Sequence, residues 1–148
     1  MFYTIEELVK QADQQFGGNV AELMIATEIE MTGRSRQDIV TIMSRNLQVM
    51  KDSVKEGLTS TKSISGLTGG DALKMDNYIK REKSLADKTV LNAVRNAMAV
   101  NELNAKMGLV CATPTAGSAG CLPAVLATAI DKLDSVSYTH LRAHETRE

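Results

Sequence analysis

Apolar residues recur every three or four positions along most of the chain, the spacing that places them on one face of an α-helix. Three such segments come first. Each begins after a residue that caps helices and ends at a glycine, which favours the left-handed turn that closes a helix. The predicted starts are Thr4 with Glu7, Asn19, and Ser35 with Asp38, and the predicted ends are Gly17, Gly33 and Gly57. The amino-terminal part therefore predicts three amphipathic helices.

The periodicity is lost over residues 58–70, where Ser, Thr and Gly accumulate. This composition is typical of a long loop, either ordered or flexible. Three further helices follow: a short one from Asp71 through Ile79, a long one over about residues 85–107 that Gly108 ends, and a last one started by Pro123 as a first-turn proline. The predicted fold class is all-α, a helical bundle-like partial domain with two Gly/Ser/Thr-rich loops.

The long helix carries apolar residues around most of its circumference, which is typical of a central helix. Its four asparagines are therefore candidates for buried amides, although they could equally be exposed or bonded to neighbouring backbone. They are Asn92, Asn96, Asn101 and Asn104.

Composition narrows the class of protein. Of the 148 residues, 43% are hydrophobic, 24% are charged and only 3% are aromatic, which fits a folded helical protein with an aliphatic core. The net charge is −1 with both signs interspersed, so neither a nucleic acid nor a membrane is an expected partner. The first residues, MFYTIEELVK, do not form a leader, and no apolar run approaches the roughly 20 residues of a membrane span. A cytoplasmic location is the expectation.

The segment MGLVCATPTAGSAGCLPAV, residues 107–125, concentrates small residues just before a predicted helix. The hydroxyl groups of Thr115 and Ser118, together with free N–H groups at a helix start, could seat a small anion such as a carboxylate. A tight helix-to-helix turn explains the same small residues. Residues 65–71, SGLTGGD, allow the same two interpretations. Neither segment has the spacing of a P-loop or a dinucleotide fingerprint.

Cys111 and Cys121 flank this segment. Two thiols could share a metal, but a closed site needs about four ligands, and both histidines of the chain lie in its tail. The two residues are therefore interpreted as free thiols. The helical body contains no histidine, so it cannot provide a Ser-His-Asp or Cys-His arrangement.

Five segments in order resemble the alpha chain of bacterial iron-sulfur-dependent L-serine dehydratases. They are MIATEIEMTGRSRQDI, NLQVMKDSVKEGL, SGLTGGDALKMDNYI, AMAVNELNAKMG and CATPTAGSAG. The resemblance covers about residues 1–133 and indicates the amino-terminal part of that chain. It implies a lyase that converts L-serine to pyruvate and ammonia, with a beta chain or beta domain as partner and an oligomeric complete enzyme.

The resemblance also implies a substrate site and a cofactor. The residues that would hold the serine carboxylate are Thr115, Ala116, Gly117, Ser118 and Ala119. The cofactor would be a [4Fe-4S] cluster with three cysteine ligands, whose open iron acts as a Lewis acid on the serine hydroxyl group. The family's ligand cysteines lie in later segments that this sequence does not contain, so no metal ligand is assigned here. The base that removes the α-proton is also unassigned.

The helical pattern breaks after Leu133, and residues 135–148 form a tail with His140 and His144. On a helix this pair could share a metal. Back-translation of SVSYTHLRAHET instead resembles a transposon-end adapter used in sequencing libraries. Residues 1–134 are therefore interpreted as a truncated dehydratase segment, and residues 135–148 as a non-native tail.

Two functional hypotheses follow. The first is a lyase segment with part of the serine site, inactive in isolation. The second is a self-standing helical module that binds a small anion or a partner without catalysis. A pyridoxal-phosphate dehydratase is a weaker alternative, because it needs a Schiff-base lysine and neither Lys62 nor Lys74 has a recognisable setting for one.

Overall fold

The computed structural model describes residues 2–59, 62–81, 84, 86–113 and 115–132. These residues contain α-helices and no β-strand, which confirms the all-α prediction. The helices are α1 (Ile5–Phe16), α2 (Val20–Thr32), α3 (Arg36–Thr59), α4 (Asp71–Ile79), α5 (Lys88–Ala105) and α6 (Cys121–Lys132). Pro114, the tail from residue 133 onward and its two histidines lie outside the described residues. The interpretation of the tail therefore stays a prediction.

The chain divides into two compact units, Met1–Arg45 and Asn46–Glu148. The first unit holds α1, α2 and the beginning of α3. The second holds the rest of α3, followed by α4, α5 and α6.

In the first unit the predicted helix starts are confirmed. The N–H of Glu7 donates to Thr4 Oγ1 over 3.1 Å, and the Glu7 carboxylate accepts from the N–H of Tyr3 over 2.8 Å, so the capping box reaches one residue further back than its usual form. Asn19 caps α2 in the same way, through the N–H groups of Ala21 and Glu22. Helices α1 and α2 pack against each other.

The sequence predicts that Gly57 ends α3, and this prediction is wrong. The helix continues to Thr59, and Gly57 is buried within it. A Cβ atom at this position would overlap the backbone carbonyl group of Ala99 in α5. Glycine is therefore needed for close helix packing, and it does not act as a stop signal.

Helix α5 is central to the second unit, as its apolar pattern predicts, because both α4 and α6 pack against it. Its side chains Ala99, Val100 and Leu103 are at most 2% exposed. The helix begins at Lys88, later than predicted, since Asp87 caps it by accepting from the N–H of Thr89 over 2.8 Å.

The end of α5 also differs from the prediction. The helix ends at Ala105, and Met107 rather than Gly108 adopts the left-handed conformation, with φ at 64°. The N–H of Met107 donates to the carbonyl of Asn104 and that of Gly108 to the carbonyl of Leu103, each over 3.0 Å, which is the Schellman pattern. Gly108 is needed for a different reason, since a Cβ there would overlap the Leu103 side chain.

Helix α6 begins at Cys121, two residues before the predicted start. Pro123 is its third residue and still lies in the first turn, where a missing N–H removes no intrahelical hydrogen bond. The first turn is joined to the preceding loop by the N–H of Ala124, which donates to the carbonyl of Gly120 over 3.2 Å.

One polar network crosses the second unit. The Arg95 guanidinium group donates to Asp76 Oδ1 over 2.7 Å and to Asn96 Oδ1 over 2.9 Å. The Asn96 amide donates in turn to Thr128 Oγ1 over 3.2 Å. Of the four candidate asparagines, Asn96 is the one that is fully buried, at 1% exposure. The network links α4, α5 and α6 through side chains that satisfy one another.

Among the described helices, none has both the length and the apolar character that crossing a membrane requires.

Candidate functional site

Residues 115–119, here called loop 115–119, form a tight turn closed by its own hydroxyl groups. Thr115 Oγ1 and Ser118 Oγ lie 3.0 Å apart, and the N–H of Ser118 donates to the Thr115 carbonyl over 3.2 Å. The N–H of Thr115 also donates to Ser118 Oγ over 3.3 Å. Both hydroxyl groups predicted to hold an anion therefore also bond each other and the turn.

Loop 115–119 is fixed to the end of α5. The Asn104 side-chain amide donates to the carbonyl of Ala116 over 3.1 Å. Directly after the loop, a Cβ at Gly120 would lie 2.8 Å from Asn101 Oδ1 and 2.9 Å from the Ala97 carbonyl oxygen. A larger residue at position 120 would push the loop away from α5. Of the four asparagines of α5, Asn104 thus bonds the loop itself, and Asn101 lies beside the glycine that follows it.

The five predicted site residues differ in exposure. Thr115, Ala116 and Gly117 are exposed and Ser118 is half-buried, whereas Ala119 is completely buried. The first four can therefore meet a ligand directly, and Ala119 can contribute only by packing under the turn. The small side chains at 116 and 117 leave the backbone of the turn accessible, which is the arrangement that admits a carboxylate close to N–H groups.

The second Gly/Ser/Thr-rich segment, residues 63–70, is a hydrogen-bonded loop, here called loop 63–70. The N–H of Ser63 donates to the carbonyl of Thr68 over 2.7 Å, and Ser63 Oγ and Ser65 Oγ lie 3.1 Å apart. The loop leads directly into α4. Its Gly70 has a φ of 92°, which side chains rarely allow, and no side chain of the loop caps the helix.

Residues 65–71 allowed two interpretations, an anion seat or a tight turn, and the N–H groups at the end of this segment bind a carboxylate of the chain itself. Glu102 Oε1 accepts from the N–H groups of Asp71 and Ala72 over 2.7 and 3.0 Å, and Oε2 accepts from the N–H of Gly70 over 2.8 Å. Glu102 is 8% exposed. Three charge-assisted hydrogen bonds at the positive end of α4 make burial of this charge favourable.

Sequence reasoning missed Glu102. The signal was available, because a carboxylate beside the buried apolar residue Leu103 needs a partner if it is to be buried. The start of α4, with two glycines and no capping side chain of its own, lacks an acceptor for its first N–H groups. A buried carboxylate that needs donors and a helix start that needs an acceptor together predict the contact between Glu102 and the start of α4.

Lys74, Asp76 and Asp87 have shifted pKa values. The hydrogen bond from Lys74 Nζ to Asp71 Oδ1, 2.8 Å long, raises the pKa of Lys74 above its ordinary 10.5. The ion pair with Lys80, 2.6 Å long, and then the hydrogen bond from Arg95 hold the pKa of Asp76 below its ordinary 3.8. Asp87 caps α5, and its hydrogen bonds with Thr89 lower the pKa of the Asp87 carboxyl group. None of these groups belongs to loop 115–119.

The described residues do not fit a metal cluster. They contain no group of three or more His, Cys, Asp or Glu side chains placed to hold a metal ion. Cys111 is half-buried, Cys121 is exposed, and both are free thiols, as interpreted from the sequence. The iron-sulfur cluster implied by the resemblance has no ligand set in this part of the chain.

Comparison with known proteins decides the family. The family "Serine dehydratase alpha chain" matches residues 15–144, which include both loops and Glu102. The chain belongs to the serine dehydratase alpha chain family. The resemblance noted in the five sequence segments is thereby confirmed.

Three similar family members differ in identity but align over most of this chain. The "Probable L-serine dehydratase, alpha chain" of Bacillus subtilis (strain 168) is 44% identical over 135 residues, which are 90% of this chain and 44% of that protein. The "L-serine dehydratase, alpha chain" of Peptoniphilus asaccharolyticus is 28% identical over 133 residues, 89% of this chain and 45% of its own. The "L-serine dehydratase TdcG" of Escherichia coli (strain K12) is 31% identical over 134 residues, 85% of this chain and 28% of its own.

The chain thus spans less than half the length of these serine dehydratase relatives. No solved structure matches it.

Proposed function

We propose that the full-length protein containing this segment is a lyase that converts L-serine to pyruvate and ammonia. Membership of the serine dehydratase alpha chain family supports this proposal, as do three similar proteins whose names include L-serine dehydratase. In this proposal the segment supplies part of the substrate site: Thr115, Ala116, Gly117 and Ser118 seat the serine carboxylate, and Ala119 packs beneath them.

The observation that carries the site assignment is the geometry of loop 115–119. Its turn is held by the Thr115 and Ser118 hydroxyl groups and by the bond from Asn104 to the Ala116 carbonyl, while three of its five residues face outward. The loop leads into α6, so the positive end of that helix dipole lies next in the chain. A carboxylate held here would fix the orientation of the amino acid for elimination of its hydroxyl group.

The remaining chemistry needs groups outside the described residues. Elimination removes the α-proton and the hydroxyl group of serine and leaves an enamine, which rearranges and is hydrolysed to pyruvate and ammonia. The family resemblance implies a [4Fe-4S] cluster, a beta chain or beta domain, and an oligomeric complete enzyme. Since Cys111 and Cys121 provide no cluster site, we place the cluster ligands in other segments of the full-length protein.

Serine turnover tests this proposal. Pyruvate formation would be measured for the full-length protein with its beta portion, prepared without oxygen and supplied with iron and sulfide, and for the 148-residue chain alone. The complete enzyme should produce pyruvate from L-serine and the isolated chain should not. The site assignment predicts that Ser118→Ala raises KM for L-serine about tenfold, because the turn loses the hydroxyl group that holds it. The exposed Ser44→Ala on α3 should leave KM unchanged.

Absence of pyruvate from the complete, cluster-loaded enzyme would reject the lyase. Pyruvate formation by the isolated chain would show that the chemistry needs nothing beyond this segment and would contradict the proposal. Saturable binding of a carboxylate by the isolated chain, with no turnover in the complete enzyme, would instead support a non-catalytic anion-binding module.

A further inference from the structure

The two Gly/Ser/Thr-rich loops meet the same two turns of α5. Loop 115–119 is bonded to Asn104, and loop 63–70 ends at the amides bonded to Glu102. Asn101, one residue before Glu102, lies beside Gly120. The last turns of α5 therefore hold both loops, although the two loops are far apart in the sequence.

The two segments that allow an anion-seat interpretation differ, because one of them already binds a carboxylate of the chain itself. The N–H groups at the start of α4 already point at the Glu102 carboxylate, at 2.7, 2.8 and 3.0 Å. An external anion could bind there only after displacing a buried carboxylate, and the displaced charge would then lack partners. Loop 115–119 holds no charged side chain of its own. We therefore expect the substrate carboxylate to bind at loop 115–119. The N–H groups at the start of α4 instead join α4 to α5 through Glu102.

We propose that Glu102 is a positioning residue for the serine site, because it fixes the end of loop 63–70 to the same turns of α5 to which Asn104 bonds loop 115–119. The inference rests on the proposed function, because it concerns the site that would bind serine. Glu102 does not itself contact the substrate in this proposal. It acts through the backbone of Gly70 and Asp71, whose position it sets with three hydrogen bonds.

Glu102→Gln is the sharpest substitution, since it keeps the size of the side chain. One of its two carboxylate oxygens becomes an NH2 group, which turns a donor toward the backbone N–H donors of α4. At least one of the three hydrogen bonds is lost, and the remaining ones are weaker because the acceptor is no longer charged. Glu102→Asp keeps the charge but shortens the reach by one methylene group, and should retain part of the contact. Glu56→Gln is the matched control, because Glu56 is exposed on α3.

The experiment uses the complete, cluster-loaded enzyme with its beta portion. For each variant, KM and kcat for L-serine, the thermal unfolding midpoint, and hydrogen exchange of the peptide covering residues 70–72 are measured. Glu102→Gln should raise KM about tenfold while kcat stays within about threefold, because binding geometry is loosened and the reacting groups are not altered. Exchange at residues 70–72 should accelerate. Glu102→Asp should lie between Glu102→Gln and wild type, and Glu56→Gln should match wild type.

Faster exchange in Glu102→Gln with an unchanged KM would reduce Glu102 to a helix cap and overturn the proposal. A fall in kcat with KM unchanged would also overturn it. If Glu102→Gln does not show a cooperative unfolding transition, Glu102→Asp decides, with a KM rise of about threefold expected and an unchanged KM contradicting the inference. Wild type that forms no pyruvate rejects the proposed function itself, whereas active wild type with an insensitive Glu102→Gln rejects only this inference.

Discussion

Met107 holds a backbone conformation that residues with a side chain rarely adopt. Its φ is 64°, at the position of a Schellman turn where glycine is usual. The side chain is 89% exposed, so packing does not compensate for the strain. The turn is instead fixed by its two backbone hydrogen bonds and by Gly108, which fits closely over Leu103. The chain therefore stores strain at the exact point where α5 turns toward loop 115–119.

Replacing Met107 with glycine should relieve that strain. We expect Met107→Gly to raise the free energy of unfolding by about 1 kcal/mol, because a left-handed conformation costs a residue with a Cβ about that much and glycine little. Urea unfolding at neutral pH measures the change. Met31→Gly is the control, since Met31 is also exposed but lies within α2. The control should lower the unfolding free energy, and a matching loss in Met107→Gly would contradict the strain.

At the scale of elements, the sequence predicts which segments form helices more accurately than it predicts where those helices end. The caps at Thr4 and Asn19 were predicted correctly because capping is a local interaction between neighbouring residues. The sequence does not predict the end of α3 correctly, because local conformational preference alone suggests that Gly57 ends the helix, whereas α3 continues to Thr59. Its actual role depends on Ala99, which belongs to another helix and is distant in sequence.

The close approach of α3 and α5 can be tested at Gly57. Gly57→Ala places a methyl group where the Ala99 carbonyl now lies, so the helices must separate or bend. We expect a loss of about 1–3 kcal/mol in the free energy of unfolding, the usual range for overpacking. A glycine that mattered only as a weak helix former would respond oppositely, because alanine stabilises helix interiors.

Chemical unfolding distinguishes the two outcomes for Gly57→Ala. The exposed Lys55→Ala, on the same helix, should change the unfolding free energy little. An increase in stability in Gly57→Ala would show that the contact with Ala99 does not constrain the packing.

At the scale of the whole molecule, the network from Asp76 through Arg95 and Asn96 to Thr128 links α4, α5 and α6 of the second unit. The side chains of Asp76 and Arg95 are only 14% and 18% exposed, so their charges are partly withdrawn from water. Lys80 and Arg95 together lower the pKa of Asp76. Folding therefore favours the charged form of Asp76.

This pKa shift predicts an acid sensitivity. A carboxyl group whose pKa is lower in the folded state stabilises the fold fully above its ordinary value of 3.8, and this contribution is lost as pH falls through the folded pKa. The free energy of unfolding should therefore decrease between about pH 5 and pH 2, and less steeply in Asp76→Asn. Urea unfolding across this range measures it. Asp131→Asn, at an exposed position of α6, should keep the wild-type slope, and an equal slope in Asp76→Asn would contradict the assignment.

The sequence by itself determined that this protein is helical, where most helices begin, and that residues 115–119 and 65–71 are unusual. These features depend on periodicity, capping and conformational preference, which act between residues that are close along the chain. The resemblance to serine dehydratase alpha chains likewise came from local segments. Only the tertiary structure assigned Glu102 to the start of α4, Gly57 to Ala99 and Asn104 to Ala116. Each of these contacts joins separate elements, so its partner is set by helix packing and is absent from any local pattern.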